Sequence, residues 1–198
     1  MILKNAKFYE EMTACFGDLV VFQQKIEQIA QLAQINLSLF EIDHLAVRMN
    51  NTQTAEHWYK MLLNNSTLLK QSEVNGRPIA LFSLHEPLPF CHQAISVIEL
   101  PFPKSKTYPK EGWEHCEIVV PFLTNETVEQ WIVRLTTTYQ LTDHTDLNIK
   151  ISQPQVAGER LPNPSIAISL KNKTSQNNCC LKLHPYDINT IVRSELLL

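Results

Sequence analysis

The feature that most constrains this chain is an order of elements that occurs twice. EIDHLAVRM, from residue 41, is short and alternates apolar with polar residues, the pattern of a strand. TQTAEHWYKMLLNN starts with Thr and continues in helix formers, a helix capped near Thr52. STLLKQSEV, PIALFSLHE and AISVIELPF then read as three strands. Asn75-Gly76 turns between the first two, and Pro87 and Pro89 interrupt the chain before the third. The order returns with WEHCEIVV as a strand and NETVEQWIVRLTTTY as a helix capped by Thr124 or Asn125. LNIKIS, SIAISLK and CCLKLHP follow as strands, with GERLPNP looping between the first two. The chain is therefore expected to be α+β, two βαβββ modules at 41–104 and 105–198. Residues 1–40 are expected to be a helical extension, with Asp18 capping a helix whose apolar positions run Leu19, Phe22, Ile26, Ile29, Ala30 and Ala33.

The two first strands match in detail. Ile42-Asp43-His44-Leu45-Ala46-Val47 aligns with Trp113-Glu114-His115-Cys116-Glu117-Ile118, so the histidines stand 71 residues apart at equivalent positions. Side chains alternate across a strand, which puts His44 and Arg48 on one face and His115 and Glu117 on the matching face. Leu45, Val47 and Met49, with Cys116, Ile118 and Val120, form the opposite faces and suit burial under helices. Asp43 and Glu114 fall on that opposite side by the same rule. If the modules pair, the polar faces line one cavity.

Glu99 adds a third group. It lies in SVIELP between Ile98 and Leu100, where a carboxylate is costly unless it is paired or bound to a metal. It either pairs with Arg48 or Arg77 or joins the two histidines. Two His and one carboxylate suit Zn, Mn, Fe, Co or Ni, and three protein ligands leave positions open for water or substrate.

His57 and His144 are read as solvated, His92 as exposed after a proline-rich loop, and His85 as a surface residue at a strand end that could reach the cleft. The pattern of the zinc deaminases is incomplete, since no PCxxC follows His115-x-Glu117. No GxSxG or Cys-His arrangement offers a nucleophile. Only four glycines are present and no phosphate-loop pattern occurs. A net charge of −3 gives no reason to expect nucleic acid or an anionic membrane as a partner. Five irregularly spaced cysteines, no secretory leader and no long apolar run lead to the expectation of a reduced, cytoplasmic protein without a membrane span.

Several stretches resemble the YecM-like proteins of the vicinal-oxygen-chelate superfamily, which includes glyoxalase I and the extradiol dioxygenases. They are DHLAVR at 43–48, NGRPIALFSLHEP at 75–87, VIELPFP at 97–103, YPKEGWEHCEIVVP at 108–121, ERLPNPSIAI at 159–168 and KLHPYDINTIV at 182–192. The resemblance implies that the two modules pair into a cupped mixed sheet. It also implies that a divalent metal is held by the first and last strands of each module. By position those residues are His44 and Glu99, then His115. The fourth is Lys182 or, with a shifted alignment, His184, and His184 is taken as an optional ligand.

A small oxygen-bearing, anionic ligand is then expected at the metal, with Glu117 as general base and Arg48 and Arg160 holding the anion. Isomerase, lyase and oxygenase activities all fit such a scaffold. A non-catalytic binder of a small molecule, or an interaction module recruiting through its N-terminal helices, is the alternative. Both modules lie in one chain, so a monomer suffices for the site and a dimer is compatible with it.

Overall fold

The computed structural model describes residues 6–74, 76–105, 107–153, 161–172 and 179–196. Two helices come first, α1 (Ala6–Phe16) and α2 (Leu19–Leu32). Gly17, at φ +88°, ends the first, and the Asp18 carboxylate accepts the amides of Val20 and Val21 to begin the second. Their apolar faces close on the two modules through aromatic contacts. Phe16 meets Trp58 and Trp113 edge-on at 4.9 and 5.1 Å, and Phe22 stacks on Trp113. The Trp113 indole donates to the Gly17 carbonyl at 3.0 Å. Gly112 must be glycine there, because a Cβ would overlap the Phe16 carbonyl.

The first module runs β1 (Glu41–Arg48), α3 (Thr52–Leu63), β2 (Ser66–Val74), β3 (Arg77–Phe90) and β4 (Gln93–Pro101). The second runs β5 (Gly112–Val119), α4 (Val128–Thr138), β6 (Leu147–Ser152), β7 (Ser165–Leu170) and β8 (Cys180–His184), and α5 (Ile188–Leu196) follows. All eight strands form one mixed sheet in the order β2-β3-β4-β1-β5-β8-β7-β6. Each module places its first strand at the centre, its last strand parallel beside it, and its hairpin outside. The central pair, β1 and β5, is antiparallel. This is the expected α+β architecture of paired βαβββ modules behind N-terminal helices.

One face of the sheet is the core. Leu45, Val47, Ile98, Leu100, Cys116, Ile118, Leu181 and Leu183 are buried there with Leu62, Trp131 and Leu135 from the crossover helices. Each such aliphatic side chain contributes roughly 1.5–3 kcal/mol by leaving water. Among the described residues no helix is long and apolar enough to cross a membrane.

Several local features differ from the sequence expectation. β3 runs through Pro87 and Pro89: Pro87 falls within a register shift between Ser83 and Leu88 that relieves the ladder, and Pro89 pairs with Ala94 next to the hairpin turn. The turn is instead Cys91-His92, both at positive φ, as a two-residue hairpin requires. α4 is capped by Thr127 in a reciprocal box with Gln130, not by Thr124 or Asn125. The cap of α3 falls at Asn51, next to Thr52 as expected, its side chain accepting the Thr54 amide. α5 was not anticipated. Its first turn is capped by Asp187, and the Ile188 amide also donates to Asp43 at 3.0 Å.

Candidate metal centre

The opposite face of the sheet lines a cavity of about 310 Å³. Strand alternation brings His44, Glu99, His115, Glu117, Lys182 and His184 to its floor. The Nε2 atoms of His44 and His115 stand 3.9 and 3.8 Å from the two Glu99 carboxylate oxygens. One atom from each of these three residues falls within a common 4.8 Å. Ligand atoms about 2.1 Å from one ion at a tetrahedral angle would be about 3.4 Å apart, so the trio is close to a coordination geometry. Two of these three residues come from one module and one from the other.

Each imidazole is oriented by the acidic residue before it. Asp43 Oδ2 lies 2.7 Å from His44 Nδ1, and Glu114 Oε2 lies 2.6 Å from His115 Nδ1. A carboxylate at Nδ1 fixes the ring and turns Nε2 toward the cavity, as the outer partners of metal-bound histidines do. These two acids were expected on the core side of their strands. Irregular β1–β5 pairing and their flexible side chains let them reach the neighbouring rings instead. The repeated acid-His dipeptide was the signal in the sequence. Asp43 is held in turn by the α5 amide, and Glu114 by the Arg48 guanidinium.

Glu117 is the most crowded of the group. Its oxygens lie 3.1 Å from His115 Nε2, 3.5 Å from His44 Nε2, 3.0 Å from His184 Nε2 and 2.8 Å from Lys182 Nζ. Burial favours its neutral form, but these neighbours outweigh it and hold the carboxyl well below the usual range. Burial likewise opposes a charged His44, yet Glu117, Asp43 and Glu99 lift it to about 9. Burial and the Lys182 ammonium, 2.9 Å from His115 Nε2, push His115 down to about 4. Lys182 is raised by Glu117 and Glu99 against the cost of its own burial.

Pairing register resolves the alignment left open in the sequence. Ala46 pairs with Glu99 across β1 and β4, and Glu117 pairs with Lys182 across β5 and β8. Lys182 therefore occupies the place of Glu99. His184 also lines the cavity; its Nδ1 lies 3.1 Å from Asn163 Oδ1. Its Nε2 and that of His44 are buried without a well-formed hydrogen bond, although both lie near Glu117 Oε2. Such orphaned nitrogens in a polar floor suit an ion as the missing partner.

Arg48 is drawn away from the cavity. It lies over the Tyr108 ring at 3.9 Å and pairs with Glu114, so it buttresses His115 from behind rather than facing a ligand. Arg160 lies outside the described residues.

Comparison with known proteins fits this picture. The family model described as YecM protein matches residues 11–195. An uncharacterised protein of Haemophilus influenzae is 48% identical over 93% of this chain and 95% of its own length. Protein YecM of Escherichia coli is 35% identical over 98% of both. A solved structure titled Structural Genomics, Protein EC4020, superposes at a TM-score of 0.78 with 33% identity, covering 98% of each chain. The chain belongs to the YecM family.

Proposed function

For this member of the YecM family we propose that His44, Glu99 and His115 hold a divalent metal and present it to a small oxygen-bearing anion in the cavity. The convergence of two carboxylate-oriented imidazoles and Glu99, drawn from both modules, carries the reading. A bound ion would supply Lewis-acid polarisation of a ligand oxygen. The chain's own residues supply the rest. Asp43 and Glu114 keep both Nε2 atoms aimed at the site. In this reading Glu117, ionised and central, accepts a ligand proton once the ligand draws Lys182 or His184 off its oxygens, because those contacts hold the carboxyl low and weaken it as a base. Isomerisation, elimination and oxidation are the reaction types such a site can serve.

The ammonium of Lys182 claims the same His115 lone pair that a metal would take, so metal entry requires Lys182 to give up that contact. This favours a second reading, in which Lys182 completes the floor permanently and the cavity binds its ligand without metal.

Elemental analysis of untagged protein decides between them. About one Zn, Mn, Fe, Co or Ni per chain, lost in His44→Ala, is expected. Less than about 0.1 per chain after incubation with these ions would sink the metal reading. With ion at about one hundred times Kd, thermal unfolding should reflect roughly 2.7 kcal/mol of added stability, reversed by chelator.

A further inference from the structure

The outer strands of the sheet carry a second matched pair. Lys70 and Ser72 on β2, and Lys150 and Ser152 on β6, all line the cavity. Lysine and serine two residues apart share one face of a strand. β2 and β6 are the two ends of the eight-stranded sheet. Were the sheet flat, seven gaps of about 4.8 Å would hold them roughly 34 Å apart. Both line one cavity of about 310 Å³, so the sheet curls until its edges face each other across the mouth.

Arg77 joins them from the start of β3, where it pairs with Val74. Among the described residues, the carboxylates lining the cavity are Glu99, Glu114 and Glu117, all on β4 or β5 at the floor. Those acids face the imidazoles, Lys182 or Arg48. Between floor and rim the walls include Ile79, Leu81 and Ala167. Among the described residues the cavity is thus layered: a floor of imidazoles and carboxylates, an apolar belt, and a rim whose lining side chains include three cations, two hydroxyls and no carboxylate. Such a concave cationic rim concentrates anions.

We propose that the ligand is a small organic dianion. Its oxygen donors face the floor, its carbon chain crosses the apolar belt, and its distal carboxylate or phosphonate is held by Lys70, Lys150 and Arg77. The orientation rests on the metal-site reading above, whereas the grip on the distal anion does not.

Calorimetric titration of the full-length protein separates the two. The probes are 2-oxoglutarate and 2-oxo-4-phosphonobutyrate, against 2-oxopentanoate, which has the same chain length and no distal anion. Each is titrated into zinc-loaded protein and into protein dialysed against the neutral chelator 1,10-phenanthroline. At least one dianion is expected to bind about tenfold more tightly than 2-oxopentanoate. Lys70→Met/Lys150→Met should abolish that preference while leaving 2-oxopentanoate affinity unchanged. Which dianion is preferred identifies the distal group. A preference that survives in the dialysed protein supports the rim even if zinc fails to bind, in which case only the metal reading falls. Equal affinities for dianion and monoanion, no binding of either dianion, or a preference untouched by the double substitution would each overturn the proposal.

Discussion

The two modules share a backbone plan but put opposite chemistry on it. In the first, β1 offers His44 and Ala46 and β4 offers Glu99. In the second, β5 offers His115 and Glu117 and β8 offers Lys182. The histidines and their orienting acids are the same; the partner position has changed from carboxylate to ammonium. A new carboxylate, Glu117, stands where the first module has alanine. The consequence reaches the imidazoles themselves. His44, surrounded by Glu117, Asp43 and Glu99, is lifted to about 9 against its burial, while His115, although closer to Glu117, is buried beside Lys182 and lowered to about 4. A duplicated scaffold thus gives one charged and one neutral histidine 6.0 Å apart between ring centroids.

The largest effect is expected from removing the carboxylate that only the second module has. Glu117→Gln leaves Lys182 and His44 without their main counter-charge, and breaking one partner of a buried pair costs about 3 kcal/mol or more. Urea unfolding of the metal-free protein measures it; a loss under about 1 kcal/mol would mean that Glu117 is not the centre of the network.

The next largest restores the symmetry. Glu117→Ala/Lys182→Glu gives the second module the residues of the first and turns three ligands into four. Cobalt affinity should rise at least tenfold in a spectroscopic titration. Lys182→Met alone removes the competing cation and should raise it by a smaller factor. Unchanged affinity in both variants would mean that Lys182 does not contest the site.

In pH dependence the modules should act with opposite sign. The folded value of His44 lies above the 6.5 of an unperturbed histidine. Its contribution is therefore full below 6.5 and fades as pH rises toward 9. The folded value of His115 lies below 6.5, so stability falls as pH drops from 6.5 toward 4. Each flank should be on the order of 1–3 kcal/mol in metal-free protein. His44→Gln should flatten the alkaline flank and His115→Gln the acid one. A flank that persists in its own variant would assign it to another group.

Much of this was legible in the sequence, for definable reasons. Alternation and repetition placed His44 and His115, because the core face of each strand is so clearly apolar, whereas Glu99 stood out by the cost of a carboxylate between Ile98 and Leu100 and by the family resemblance. Lys182 and His184 share a strand face, so only the β5–β8 register could say which one opposes Glu99. Glu114 was misplaced because alternation describes Cβ directions, not where a longer side chain reaches. Arg48 shares the parity of His44, but an irregularity after Ala46 and the pull of Glu114 take it behind the site. The Lys-x-Ser pairs carry no distinguishing sequence signal, and only the curl of the sheet turns them inward.

The central claim is that one metal is shared by both modules, and a visible-absorption titration with cobalt tests it most directly. Single His44→Ala and His115→Ala variants are compared with the parent chain, each removing a ligand from a different module. Both should weaken cobalt binding by about a hundredfold or more and alter the ligand-field bands. Binding that survives either substitution with unchanged affinity and spectrum would contradict a shared metal.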